Sequence, residues 1–197
     1  MIARGPATVL IVDDEPAVAD AFASELEDEY IVTTAYSGRE ALDKLDASVD
    51  VVLLDRRMPD ISGDQVLDHV RDRRLNCRVA MVTAVDPDFD IIEMPFDDYV
   101  IKPVDPDELV ATIQRLDTTA TYEEHFQEYY ALAAKHAVLS ANKSDAELTE
   151  SEQFRRLEDR LEAVRHELDR AIERFDDEDF ATAFRDIDGQ PIHPIER

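Results

Sequence analysis

Tryptophan is absent, cysteine occurs once, glycine only four times, and just four of the 21 basic residues are lysines. The lone cysteine, Cys77, rules out an internal disulfide and any cysteine-based zinc site; it opens an apolar run and reads as a small core residue. No apolar run approaches the roughly 20 residues of a membrane span. The opening MIARGPATVL has no signal-peptide stretch. A soluble, cytoplasmic protein with no membrane partner is therefore expected. Basic clusters are missing too, and no helix-turn-helix signal occurs, so DNA binding is not supported. Acidity alone does not exclude it, because counterion release adds little in molar salt. His69, His125, His136, His166 and His193 show no metal-ligand spacing and are expected at the surface.

What is abundant is negative charge: 47 acidic residues against 21 basic give −26. The plain reading is a well-solvated surface. The sharper reading, which we favour, is a protein of a salt-loaded cytoplasm, where charges are screened within roughly 3 Å at 1 M salt.

Residues 8–116 alternate strand and helix signals. TVLIV (8–12), IVTTA (31–35), VVLL (51–54), VAMVT (79–83) and YVI (99–101) are short Val/Ile/Leu runs of the kind that form buried parallel strands. Between them lie helical stretches. Pro16 stands at a first helical position with Asp14 and Glu15 as cap and dipole partners, followed by Val18, Ala21, Phe22 and Leu26. Ser37-Gly38 opens a helix with Ala41, Leu42 and Leu45. MPDISG turns into one with Val66, Leu67 and Val70, and Pro106–Leu116 forms the last of the unit. Pro87 and Pro95 leave room for a turn or two at most in the fourth crossover. Five such units make a three-layer α/β fold.

Parallel strands end on one sheet edge, and ligands of open α/β sheets bind beyond it. Asp13 and Asp14, Asp55, Thr83 and Lys102 each close a strand and therefore converge. Taken singly, each has a plain reading: helix cap, strand-end threonine, loop lysine. Together they form a site. Clustered carboxylates call for a hard cation, and oxygen donors suit Mg²⁺. A carboxylate beside it is a nucleophile toward a phosphoryl group, and Lys102 and Thr83 would share the charge on the phosphoryl oxygens. A cis Lys102–Pro103 bond would aim the lysine into the crevice.

Beyond Leu116, glycine is absent through 188 and proline through 190, so helix without strands is expected. Thr121/Glu124 and Thr149/Glu152 have capping-box spacing. Tyr122, Phe126, Tyr129, Ala133 and Ala137 mark one helix face, and NKSD (142–145) a break. Phe154, Leu157, Leu161, Val164, Leu168, Ala171 and Phe175 form a heptad-like seam. That seam suits an antiparallel hairpin or a coiled-coil homodimer; we lean to a hairpin that also dimerises. One more short helix is expected around Phe180–Phe184.

VDDE (12–15), LLDRRMPDISG (53–63), VTA (82–84) and YVIKP (99–103) resemble the receiver domain of two-component response regulators, over residues 7–117. The resemblance implies a flavodoxin-like sheet of order 2-1-3-4-5 with flanking helices. It implies Asp55 as phosphoacceptor for a sensor histidine kinase, with Asp13, Asp14, Asp55 and the Arg57 carbonyl holding Mg²⁺. Thr83 and Tyr99 would be the switch pair and Lys102 the phosphoryl contact. The truncated fourth crossover and Arg57 and Val85 depart from the family pattern. YEEHFQEYYALAAKHAVLSANKSDAEL and the helix after it resemble the HalX-type domain attached to receivers in halophilic archaea. Residues 118–197 would then be an all-α extension of two long helices, linked to transcriptional regulation. The implied function is a signalling phosphoacceptor rather than an enzyme, catalysing at most its own phosphorylation and dephosphorylation. Runner-up readings are an aspartate-nucleophile phosphatase of related α/β fold and an interaction module with a vestigial acid site. The phosphatase pattern needs its nucleophile after the first strand, where Asp13-Asp14-Glu15-Pro16 stands.

Self-repulsion at −26 predicts a thermal midpoint that climbs steadily as KCl is raised from millimolar to molar, followed by far-ultraviolet circular dichroism. A midpoint independent of salt would remove the salt-adapted reading.

Overall fold

A computed structural model of the chain describes residues 5–172. The five expected strands are all present: β1 (Thr8–Val12), β2 (Ile31–Ala35), β3 (Val51–Leu54), β4 (Arg78–Thr83) and β5 (Asp98–Ile101). They pair in parallel in the order β2-β1-β3-β4-β5. Because strand side chains alternate between faces, the sheet has two cores. One face gathers Leu10, Val52, Leu54 and Met81 with helix residues Ala41, Val66 and Val70. The other gathers Ile11, Leu53 and Val82 with Ala19, Leu26, Leu109 and Ile113. Cys77 is buried and free, as expected.

The helices are α1 (Pro16–Leu26), α2 (Gly38–Lys44), α3 (Gly63–Asp72), α4 (Pro106–Asn142), α5 (Asp145–Glu150) and α6 (Glu152–Ile172). Ser37 and Ser62 cap α2 and α3, the latter in a full capping box with Gln65. In the fourth crossover only a 3₁₀ turn forms, Phe89–Glu93, as the two prolines require. None of the described helices is long and apolar enough to cross a membrane.

Several expectations need correction. In α1 the buried pair is Ala19 and Leu26; Ala21 is exposed. Glu15 occupies the N-cap position without a side-chain cap bond, and the Glu15 N–H instead donates to Asp13 Oδ1 at 3.0 Å. The last helix does not stop at Leu116, because α4 continues to Asn142. Thr121 lies inside it, where a capping box has no orphan N–H to satisfy. The break does fall at 142–144, but Ser144 and Glu147 form the capping box of α5. Thr149 sits within α5, its hydroxyl donating to the Asp145 carbonyl at 2.7 Å, and the Ser151 hydroxyl accepts the Phe154 N–H at 3.2 Å to open α6. The extension therefore contains a short helix between two long ones.

By compactness the chain divides into residues 1–117 and 118–197. Within the second unit, α6 lies antiparallel to the later part of α4. Arg160 donates to both oxygens of Glu128 at 2.7 and 2.6 Å, His136 stacks on Phe154 at 5.0 Å, and His125 Nε2 lies 3.5 Å from Glu167 Oε2. Residue numbers rise on one helix as they fall on the other. A hairpin it is. Phe154, Val164, Leu168 and Ala171 are buried as the heptad spacing implies. On α4, however, Phe126 and Ala137 face out, while His125 and His136 are half-buried and not surface residues. Phe175, His193 and the expected helix at 180–184 lie outside the described residues.

Burial, not the ion pair, holds this hairpin. Val164 is 0% exposed, whereas the Arg160–Glu128 side chains are 46% and 36% exposed. Val164→Ala should cost about 1.5–3 kcal/mol, and Arg160→Ala below about 1 kcal/mol. Urea denaturation of both variants checks the order; a larger loss in the arginine variant would refute it.

Candidate functional site

The carboxyl edge of the sheet places each strand-end residue through register. Val12 pairs with Leu54, so Asp13 and Asp55 follow on adjacent strands. Thr83 pairs with Ile101, and the Lys102 N–H donates to the Thr83 carbonyl at 2.9 Å. The Asp13 and Asp55 N–H groups continue the ladder into the Ala35 and Val12 carbonyls. Asp13, Asp55 and Thr83 are buried, at 2%, 7% and 1% exposure, while Asp14 is half-buried at the rim.

Two buried carboxylates need a counter-charge. Lys102 supplies it: Nζ lies 2.5 Å from Asp13 Oδ2 and 3.2 Å from Asp55 Oδ1. Burial pushes the Lys102 ammonium pKa down, but its bonds to Asp13 and the charges of Asp55 and Asp13 outweigh that and leave it raised. The peptide bond after Lys102 is cis, as the crevice geometry led us to expect. Asp55 Oδ2 accepts the Arg57 N–H at 2.9 Å, fixing the carboxylate against its own loop. The Arg57 side chain is exposed.

Thr83 and Tyr99 meet at a common neighbour. The Thr83 hydroxyl accepts the Val85 N–H at 3.4 Å. The Tyr99 hydroxyl donates to the Val85 carbonyl at 2.8 Å, and its ring lies against Phe96 at 5.5 Å. Thr83 and Tyr99 thus hold opposite sides of one residue, Val85.

Two positions that shape the surroundings of Asp55 escape sequence reasoning. Arg56, next to Asp55, donates through Nε to Asp64 Oδ1 at 3.1 Å and through Nη2 to Asp90. Those partners, Asp90 first and Asp64 second, raise its pKa further above the ordinary arginine value. Arg56 thereby ties the loop after Asp55 to α3 and to the 3₁₀ turn. Gly63 is the other: a Cβ there would collide with the Asp55 carbonyl and the Arg56 Cα. The only hint in the sequence is that a chain with four glycines spends one at this turn.

Among the described residues, no three Asp, Glu, His or Cys side chains stand together as a ready metal site. The donors of Asp13, Asp14, Asp55 and the Arg57 carbonyl are nevertheless all hard oxygens, and two of the acids are buried. That chemistry fits Mg²⁺.

Family comparison bears on this geometry. Residues 9–114 match the response regulator receiver domain and residues 118–184 the HalX domain. The chain belongs to the response regulator receiver family. A Haloferax volcanii protein whose name proposes a transcriptional regulator is 50% identical over 83% of this chain and 28% of its own length. Response regulator SaeR of Staphylococcus aureus is 36% identical over 59% of this chain and 53% of its own. This response regulator thus spans about half the length of its relatives or less. Among solved structures, the BeF3-activated receiver domain of DrrB, a Thermotoga maritima protein, superposes with a TM-score of 0.53 at 27% identity, covering 56% of this chain and 97% of that one.

In this receiver the ammonium between Asp13 and Asp55 gives a pH signature. A raised lysine pKa stabilises the fold fully below the ordinary 10.5 and loses that contribution as pH rises through the folded value. Lys102→Met should cost about 1–3 kcal/mol near neutrality, less than a fully buried pair because the lysine keeps part of its solvation. The wild-type and variant denaturation midpoints should converge only as pH rises beyond 10.5 and through the higher folded value. A gap that persists there would assign the stabilisation to packing.

Proposed function

We propose that this response regulator accepts a phosphoryl group from a sensor histidine kinase on Asp55. One observation carries the reading: Asp55 is a buried carboxylate whose Oδ1 faces the Lys102 ammonium at 3.2 Å, at the strand edge that also ends in Thr83. An Asp55 oxygen would attack phosphorus while the phosphorus–nitrogen bond of the phosphohistidine breaks. The imidazole leaves with the electron pair and takes up a proton, and an aspartyl phosphate remains. Lys102 and the Thr83 hydroxyl would then meet the transferred oxygens. Mg²⁺, held by Asp13, Asp14, Asp55 and the Arg57 carbonyl, would supply charge neutralisation on the phosphoryl group. BeF3 activation of the DrrB receiver supports this assignment of the pocket.

Pulling Thr83 toward a phosphoryl group would draw on Val85, and Val85 holds the Tyr99 hydroxyl. We read this as the step that changes the surface seen by a downstream partner. The HalX residues 118–184 would carry the output, in transcriptional regulation as the haloarchaeal relative's name suggests. The protein would be a signalling phosphoacceptor, turning over only its own acyl phosphate.

Wild type incubated with acetyl phosphate and Mg²⁺ in molar KCl should gain one phosphoryl group per chain by intact mass. Asp55→Asn should gain none, and chelation of the metal should abolish the gain in wild type. Unchanged incorporation in Asp55→Asn would place the acceptor elsewhere.

A further inference from the structure

We propose that the second, outward face of α4 beyond residue 118 is a self-complementary contact through which two copies of this chain pair antiparallel. Phe126, Tyr130 and Val138 are 52%, 72% and 63% exposed, and Ala134, Ala137 and Ala141 are exposed between and beyond them. Isolated exposed apolar side chains need no explanation. These six are not isolated. Steps of three and four residues put them on one stripe covering about a third of the helix circumference and about 22 Å of its length. A stripe that wide normally faces a core, yet the α6 partner occupies a different face, through His125, Glu128 and His136.

The stripe is graded in size, and that selects its occupant. Its first half carries the two aromatics, its second half the alanines. In an antiparallel pair with Tyr130 on the two-fold axis, Phe126 of one copy lies over Ala134 of the other, large against small. The two Tyr130 rings meet at the centre, an arrangement aromatic pairs favour. Charge agrees: Lys135 of one copy comes beside Glu124 of the other, and both are exposed. A parallel pair would set Phe126 on Phe126, leave the alanine half underpacked, and place Glu124 against Glu124 and Lys135 against Lys135. An isologous antiparallel contact is the arrangement that satisfies both size and charge. One helix pair buries less than the roughly 800 Å² per partner of a standard interface, so the dimer should be weak and concentration-dependent. Being mainly apolar, it should survive molar salt.

Sedimentation velocity of the full chain in molar KCl should show a reversible dimer. Tyr130→Glu should raise its dissociation constant about thirty-fold or more while far-ultraviolet circular dichroism stays unchanged, since the side chain is exposed. Single-cysteine variants read the register against the buried native Cys77. Tyr130→Cys should oxidise readily to a cross-linked dimer, Ala141→Cys should not, and a mixture of Phe126→Cys with Ala134→Cys should cross-link between the two. A chain monomeric at every concentration, an unchanged dimer in Tyr130→Glu, or equal cross-linking at 130 and 141 would each overturn the proposal. None of these readouts involves Asp55 or phosphorylation.

Discussion

Everything at the carboxyl edge turns on one ammonium. Asp13 and Asp55 are both nearly excluded from water, and two ionised carboxylates so placed repel strongly at the low effective dielectric of a protein interior. Lys102 lies within hydrogen-bonding reach of both. It can do so because it follows β5, three strands away from β1 and its Asp13 but at the same edge. The parallel topology is therefore what assembles this cluster as well as a packing solution: with any of these strands reversed, its terminal charge would lie at the opposite edge. The same arrangement leaves the site poised, since any ligand that brings positive charge to the acids releases the lysine for another anion.

The fold and the strand-end residues were legible because both rest on short-range rules. Period-two burial on both faces gives uninterrupted Val/Ile/Leu runs, and polar residues that close such runs mark the edge. The α4 helix was harder. Its continuation past Leu116 leaves no local mark, since a threonine followed three residues on by a glutamate reads as a cap whether or not the preceding residues are already helical. The real caps, Ser144 and Ser151, sit beside the expected break, and only the geometry separates Ser144–Glu147 from Thr149–Glu152. His125 and His136 were misplaced for a related reason. Histidine carries no hydrophobic signal, yet the His136 ring fills a stacking position on Phe154. Arg56 could not be read at all, because its partners Asp64 and Asp90 stand 8 and 34 residues away.

The abbreviated fourth crossover changes how the site's neighbours are held. A regular helix there would anchor itself by packing, but the 3₁₀ turn contains no buried residue. Its position depends instead on named polar contacts: Arg56 to Asp90, and Tyr99 to the Val85 carbonyl at the start of the segment. Segments held by few buried apolar contacts open more cheaply than core elements. Two of the contacts that hold this crossover thus originate at Arg56, next to Asp55, and at Tyr99.

Salt sharpens this distinction. In a molar-salt interior the exposed pairs, such as Arg156–Glu152 at 75% and 67% exposure, are screened to little effect. The contacts of Lys102 with Asp13 and Asp55, whose side chains are 4% and 9% exposed, are shielded by protein and keep most of their interaction. A surface of −26 therefore does not swamp the site's electrostatics; screening removes the long-range field and leaves the short buried contacts as the only charges that discriminate between conformations. At molar salt, discrimination between conformations falls to buried ions and apolar surface. Those are the two features the receiver edge and the HalX hairpin present.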